Sequence, residues 1–432
     1  MKSYHFVGIK GSGMSALAQI LHDQGHRVQG ADIAERLFTQ TRLEDRNIPI
    51  YVFGESPLHP DLEVIASNAF SDDHPELIRC RDHRLPISRY HHFLGKWLRG
   101  YSSIAITGAH GKTTTTGLMA HVFSKIAPTS SLIGDGTGSG MPDSKYFVFE
   151  ACEYRRHFLA YHPDIAVITN IDFDHPDYFS GIDDVRSAFQ QMIDQVGRQI
   201  IACGEDDQVR LLRPRVPMLL YGFGSRNDLQ ARDIAVTPAG TSFDAYLRDR
   251  ALGRFTIPMF GRHNVLNALA VIGTAFHSDL PMEEVREAMK TFGGVKRRFS
   301  EKPWIGNNIL IDDYAHHPAE IRATIDAVRS KYPDRRIVSV FQPHTFSRLE
   351  QFLDDFAESL RASDDVYLCG IFGSAREASG TIRIEQLQDR VPGAKLIGED
   401  SVGQLLDYRD SVIVFMGAGD IQKYQRRLEQ LV

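Results

Sequence analysis

A strand, a glycine loop and a helix follow one another without a gap at residues 102–126, reading SSIAIT, GAHGK and TTTTGLMAHVFSKI. An apolar run that turns on glycines straight into a helix is half of a βα unit. A chain built from such units folds into mostly parallel sheets. The loop also limits what can bind. Gly108 and Gly111 let backbone N–H groups come close to a phosphate, and the start of the following helix favours negative charge. Lys112 would reach terminal phosphates and the Thr113 hydroxyl would meet Mg²⁺. Two residues separate the glycines where the common phosphate loop has four. The plain alternative is a glycine turn with a solvated lysine, and four consecutive threonines after Gly-Lys weigh against it. A nucleotide site is therefore expected at Gly108, Ala109, His110, Gly111, Lys112, Thr113 and Thr114.

The rest of the chain repeats the alternation in three blocks, with expected boundaries at 1–100, 101–294 and 295–432. The first opens with a strand (4–9), the turn GIKGSG, a helix (14–24) and a strand ending at Asp32; a later strand runs into Ser67-Asn68. The second carries the phosphate loop and, between residues 229 and 259, segments such as TSFDAYL and GRFTIPM that read as a small separate antiparallel sheet. Two helical stretches, HNVLNALAVIGTAF and MEEVREAMKTF, close it. The third follows the glycine-led basic turn GGVKRR and has four strand-like runs, with Pro318 well placed in a helix's first turn. The fold class is therefore α/β with three domains. The outer two are Rossmann-like; the central one is a phosphate-loop sheet with added antiparallel strands.

Polar clusters sit just after strand ends, where open parallel sheets place their ligands. YFVFEA runs into Cys152-Glu153, and DIAVITNI runs into DFDHPD, which contains His175. Acids and a histidine there could complete Mg²⁺ coordination, since this ion prefers oxygen ligands. A polar capping loop is the alternative for DFDHPD taken alone. GIKGSG followed by Asp32 suits a diphosphate, or only a tight turn. DDYAHHP and QPHTFSR each follow a third-block strand, and two such loops in one sheet favour a ligand over mere helix capping.

Composition excludes several classes. A net charge of −6 with no long Lys/Arg run argues against nucleic acid or anionic membrane as partner. No apolar run approaches the ~20 residues that span a bilayer, and the N-terminus lacks a signal-peptide pattern. Four isolated cysteines fit a reducing, cytoplasmic setting better than a disulfide or zinc framework.

With these motifs in hand, the whole chain resembles the Mur ligases, ATP-dependent amino-acid-adding enzymes of peptidoglycan synthesis. GIKGSGMS, TGAHGKTT, EACE, TNIDFDH, GRHNVLNA, GGVKRRF, DDYAHHP, FQPHTFSR and FMGAGDI occur in the family's order. The resemblance implies ATP and Mg²⁺ as cofactors, and a UDP-sugar held by the first domain around Gly11, Ser12, Met14, Asp32, Ser67 and Asn68. It implies that Lys112 neutralises the transferring phosphoryl group, that Thr113 and Glu153 hold one Mg²⁺, and that His175 holds a second. Asn264 would contact adenine, with Arg298 and Asp313 reaching ATP from the third block. His344, Arg348 and Tyr314 would lie by the amino acid.

Three positions depart from the pattern. Cys152 stands where many relatives have Asp, so only Glu153 is expected as a ligand there. Thr345 stands where many have Arg, so Arg348 is expected to act alone. Lys10 replaces a common Gly. No lysine occurs between Lys145 and Lys290, so a carbamylated lysine, which the resemblance implies for ligases adding later residues, has no counterpart here. That favours the branch that adds L-alanine to UDP-N-acetylmuramate, or the similar tripeptide-recycling branch. Two other functions compete. A nicotinamide oxidoreductase would use GIKGSG and Asp32 but leaves GKTTTT idle. A non-catalytic nucleotide binder leaves the candidate metal ligands and the HHP loop unexplained.

Overall fold

A computed structural model describes residues 1–373 and 377–432. The alternation resolves into three sheets. The first contains β1 (Ser3–Val7), β2 (Arg27–Asp32), β3 (Ile50–Val52), β4 (Leu62–Ala66) and β5 (Ile87–Arg89), parallel and ordered β3-β2-β1-β4-β5. The order reverses between β1 and β4, which opens a crevice at their C-terminal ends. The GIKGSG turn and Ser67-Asn68 flank it.

The central sheet has ten strands: β6 (Ser102–Thr107), β7 (Thr129–Leu132), β8 (Gly138–Ser139), β9 (Tyr146–Glu150), β10 (Ile165–Ile168), β11 (Gln199–Cys203), β12 (Met218–Gly222), β13 (Leu229–Thr237), β14 (Gly240–Leu247) and β15 (Arg250–Ile257). Their order is β15-β14-β13-β12-β11-β10-β6-β9-β7-β8. The antiparallel strands β13–β15 were expected as a separate sheet. They extend the main one instead, because β13 pairs in parallel with the edge of β12 at Tyr221–Leu229 and Gly222–Gln230. The third sheet joins β16 (Ser300–Trp304), β17 (Asn308–Asp313), β18 (Arg336–Phe341), β19 (Asp365–Leu368), β20 (Lys395–Leu396) and β21 (Ser411–Met416) in the order β16-β17-β21-β18-β19-β20; only β16 runs antiparallel.

β6 is the hub. Its alternating side chains feed opposite layers: Ala105 joins Phe147 and Phe149, while Ile104 and Ile106 join Leu118, Val122 and Val265 from the helices Lys112–Ile126 and Arg262–His277. The register sets Ile106 beside Glu150 and Thr107 beside Ile168. The ends of three strands therefore surround the phosphate loop.

The first two domains share a core. Tyr4, Phe6 and Leu17 of the first sheet and its helix lie in one apolar cluster with Ala105, Phe149 and Phe158 of the central domain. Burying each such aromatic contributes roughly 2–3 kcal/mol. Polar contacts reinforce the seam. Gln19 donates to the Gly136 carbonyl at 2.8 Å and accepts the Gly138 N–H at 3.2 Å. Gly138 lies so close to the helix Ser12–Asp23 that a Cβ there would sit 1.9 Å from the Ala16 carbonyl oxygen. The third domain keeps its own clusters, with Phe173 of the central domain reaching one of them.

Candidate active site

The phosphate loop is held before any ligand arrives. Gly108 has φ +135°, and a Cβ on it would fall 2.0 Å from the Thr169 hydroxyl at the end of β10. That residue must therefore be glycine for the loop to pass beneath β10. Asn170 fixes the loop from the other side, accepting the His110 N–H at 2.9 Å and donating to the His110 carbonyl at 2.9 Å.

Lys112 folds back over the loop. Its ammonium donates to the carbonyls of Gly108 (2.5 Å) and Ala109 (2.9 Å) and pairs with Glu153 at 3.0 Å. Burial opposes its charge, but Glu153, Cys152 and Glu150 together outweigh burial and raise its pKa. Thr113 and Glu153 are the expected metal pair; here the Thr113 hydroxyl donates to Glu150 at 2.9 Å, and Glu153 faces Lys112. The β6–β9 register explains this, because Glu150 still belongs to the strand beside β6 while Glu153 lies past its end. Glu150 was missed in the sequence because a lone acid closing an apolar strand carries no distinctive pattern.

His175 lies nearby in the left-handed region, φ 56°. Its ring packs on Tyr154 at 4.5 Å. Burial lowers its pKa despite the acids Asp174 and Glu153, which favours a neutral imidazole able to bind a cation. The Thr113 hydroxyl, the Glu150 and Glu153 carboxylates and one imidazole form a mainly oxygen set that suits Mg²⁺.

Two cavities meet at the loop, with Gly111, Arg298 and Glu320 lining both. The larger, about 860 Å³, is walled by Asn264, Phe260, Phe292 and Asp313. Asn264 is braced there, donating to the Phe260 carbonyl at 2.7 Å and accepting from Asn267 at 3.1 Å. Asp313, at the end of β17, accepts backbone N–H bonds from Ala315 and Phe299, both at 2.9 Å. Burial pushes its carboxyl up to about 6, against the pull of Arg298.

The second cavity, about 730 Å³, draws on all three domains: Ser12 and Arg36 from the first, Lys112, Thr113, Glu150 and His175 from the second, and Tyr314, His316 and Arg426 from the third. The guanidinium groups of Arg297 and Arg298 both lie over the Tyr314 ring, 4.8 and 5.0 Å from its centroid. His110 ties the loop to the third domain, 3.1 Å from Asp172 and 3.3 Å from Glu320. Glu320 also went unrecognised, because an acid in a helix's first turn reads as a dipole partner.

Asp32 is buried, with its two carboxylate oxygens accepting the N–H groups of Lys10 (2.6 Å) and Ile33 (2.8 Å). It therefore closes the glycine turn. Lys10 donates to the carbonyls of Ile33 and Glu35, both at 2.7 Å, and so braces the loop that leads to Arg36. Gly11 precedes the helix Ser12–Asp23, in which Met14 is buried. Ser67 accepts the Ala69 N–H at 3.2 Å, and Asn68 lies 2.9 Å from His91. Ala109 and Thr114 line the smaller and larger cavities respectively. His344 stacks on Phe372 at 5.6 Å. Thr345 adopts φ 69°, rare for a β-branched residue, and its N–H bonds the Phe372 carbonyl at 2.9 Å. Arg348 is buried on Asp174 at 2.8 Å.

Fold and site together define a three-domain phosphate-loop protein whose third domain lines both cavities that meet at the loop. Family models agree along the chain. The Mur ligase family catalytic domain matches residues 3–102, the Mur ligase middle domain 106–275, and the Mur ligase glutamate ligase domain 297–419. The chain belongs to the Mur ligase family, ATP-dependent amide-forming ligases of peptidoglycan precursors.

Among solved structures it is similar to UDP-N-acetylmuramate–alanine ligase from Thermotoga maritima, at 27% identity and TM-score 0.83, covering 100% of this chain and 99% of that one. It shares its fold with a murein peptide ligase from Psychrobacter arcticus (23%, TM-score 0.72, 100% and 98% covered). It also shares it with the MurF ligase of Thermotoga maritima in complex with ADP (17%, TM-score 0.65, 95% and 96% covered). No helix among the described residues is long and apolar enough to cross a membrane.

Proposed function

We propose that this chain joins L-alanine to the lactoyl carboxylate of UDP-N-acetylmuramate, driven by ATP, in the cytoplasm. The observation that carries the reading is the smaller cavity, where groups from all three domains converge on Lys112 and Thr113. Similarity over the full chain to an alanine-adding ligase supports it, as does the lack of any lysine between Lys145 and Lys290. In this reading residues 1–100 hold the UDP-sugar, 101–294 the nucleotide, and 295–432 the amino acid.

A carboxylate resists attack by an amine until one oxygen becomes a good leaving group. Phosphorylation supplies that, giving an acyl phosphate. The alanine amine then adds to its carbonyl, and the tetrahedral adduct loses phosphate to leave an amide. Phosphoryl transfer is mostly positioning and charge neutralisation. Lys112 turns from its loop carbonyls to the transferring group. Thr113 and Glu150 would hold one Mg²⁺, with His175 and Glu153 at a second. When bound, the ions neutralise charge as it develops on the phosphoryl oxygens. Asn264 braces the adenine wall, while Arg298 and Asp313 close the nucleotide side. His344, Tyr314 and Arg348 face the amino acid, and the turn around Gly11, Ser12, Asp32 and Asn68 faces the UDP-sugar.

The test is phosphate release from ATP with UDP-N-acetylmuramate and each amino acid in turn. Release that depends on L-alanine is expected. Release only with a peptide amine would move the chain to the recycling branch, and none with any amine would sink the ligase reading.

A further inference from the structure

Arg348 sits on the third domain in the helix Phe346–Gln351, yet its guanidinium is spent inside the protein. Nε and Nη2 both donate to Oδ1 of Asp174, at 3.1 and 2.8 Å, across 174 positions of sequence. Nη1 donates to the His344 carbonyl at 3.3 Å and lies 3.3 Å from His344 Nδ1. The two charged side chains are only 5% and 8% exposed. An arginine fork offers five N–H groups and recognises a carboxylate through adjacent pairs of them. Here every guanidinium nitrogen already has a partner, and the pair best suited to a carboxylate is on one. Asp174 also lines the smaller cavity beside His175, where a substrate carboxylate would approach.

We propose that Asp174 is an internal competitor for the carboxylate of the amino-acid substrate, holding the Arg348 fork until that substrate enters and then releasing it. The proposal rests on the assignment of Arg348 to the amino acid made above. The exchange replaces one carboxylate on the guanidinium with another, so no buried cation is left bare. Asp174 keeps the N–H of His175, now 2.7 Å from its Oδ1, and takes up water from the cavity it lines. The neighbouring ring contact of Phe173 with Phe352, 5.9 Å between centroids, holds the third domain in place while the ion pair exchanges. An amine without a carboxylate has nothing with which to displace Asp174. Alanine must therefore displace Asp174 to be held, and the exchange sets its affinity below what a free Arg348 fork would give.

The experiment measures L-alanine binding by calorimetry to protein loaded with UDP-N-acetylmuramate and a non-hydrolysable ATP analogue, alongside alanine KM and kcat. Replacing a charged acceptor with a neutral one of the same shape weakens the competitor, so Asp174→Asn is expected to lower alanine Kd and KM about fivefold, without raising kcat. Unchanged or weaker alanine binding in Asp174→Asn would overturn the proposal. Arg348→Lys separates the two claims. If it leaves alanine binding unchanged, the assignment of Arg348 to the amino acid fails. If it weakens alanine binding while Asp174→Asn does not strengthen it, only the competitor fails. Should Asp174→Asn not fold, a crystal structure of the wild type with alanine decides: Arg348 moved off Asp174 supports the exchange, and a retained contact overturns it.

Discussion

Glu320 joins the phosphate loop to the third domain, so Glu320→Gln is the sharpest perturbation of domain docking. Its side chain is 12% exposed; one oxygen lies 3.3 Å from His110 Nδ1 and the other 2.9 Å from His316 Nδ1. Burial opposes an imidazolium at His110, but Asp172 and Glu320 outweigh it and push the pKa from 6.5 up to about 10. At ~1.4 kcal/mol per pH unit, the net preference for the charged form is about 5 kcal/mol. Asp172, whose side chain is 43% exposed, and the more buried Glu320 share this preference, so neutralising Glu320 removes only part of it.

The sign follows from linkage. A histidine raised on docking contributes stability that is complete below about 6.5 and lost as pH rises through about 10. Glu320 itself is held far below its usual 4.5, against burial, by His316 and His110, so its own contribution disappears only in strong acid. Docking should therefore persist at neutral pH and weaken in alkali. In Glu320→Gln, His110 should titrate at lower pH than in the wild type, and the third domain should separate at correspondingly lower pH. Carbon-13-labelled histidine NMR follows the titration, and small-angle scattering at pH 6, 8 and 10 follows docking. Wild-type His110 titrating near 6.5, or a variant that titrates like wild type, would refute the reasoning.

Other outcomes can be checked directly. Lys112→Ala should abolish turnover while the circular dichroism spectrum stays that of a folded protein, with Tm lowered because the buried Glu153 loses its partner. Glu150→Gln should raise the Mg²⁺ concentration needed for half-maximal rate at least tenfold, since Thr113 loses its charged partner; a normal Mg²⁺ titration would return the first metal to Glu153. Gly138→Ala should cost about 2–4 kcal/mol in urea unfolding, because the new Cβ would collide with the Ala16 carbonyl, which belongs to helix backbone and cannot move alone.

Much of this protein is legible in its sequence because the relevant physics is local. Apolar runs ending in glycine turns and helical stretches specify βα units wherever they occur. Motifs just past a strand end fall at the sheet's C-terminal edge. Lys112 and Thr113 could be placed on the loop, and Asn264 and Asp313 at strand–helix junctions, without coordinates. The first-turn position of Pro318 was readable for the same reason.

Tertiary structure decided which of these groups meet. The β6–β9 register, not motif order, gave Thr113 to Glu150 and left Glu153 to Lys112. The free edge of β12 drew β13–β15 into the central sheet. Asp32 reads as a ligand group and Lys10 only as a departure from glycine; the fold gives Asp32 the N–H groups of Lys10 and Ile33, and Lys10 the carbonyls of Ile33 and Glu35. The contacts that join the third domain to the loop, Glu320 with His110 and Arg348 with Asp174, bridge 210 and 174 positions. A side chain's partner across such a distance depends on how whole domains pack, and no pattern of neighbouring residues carries that information.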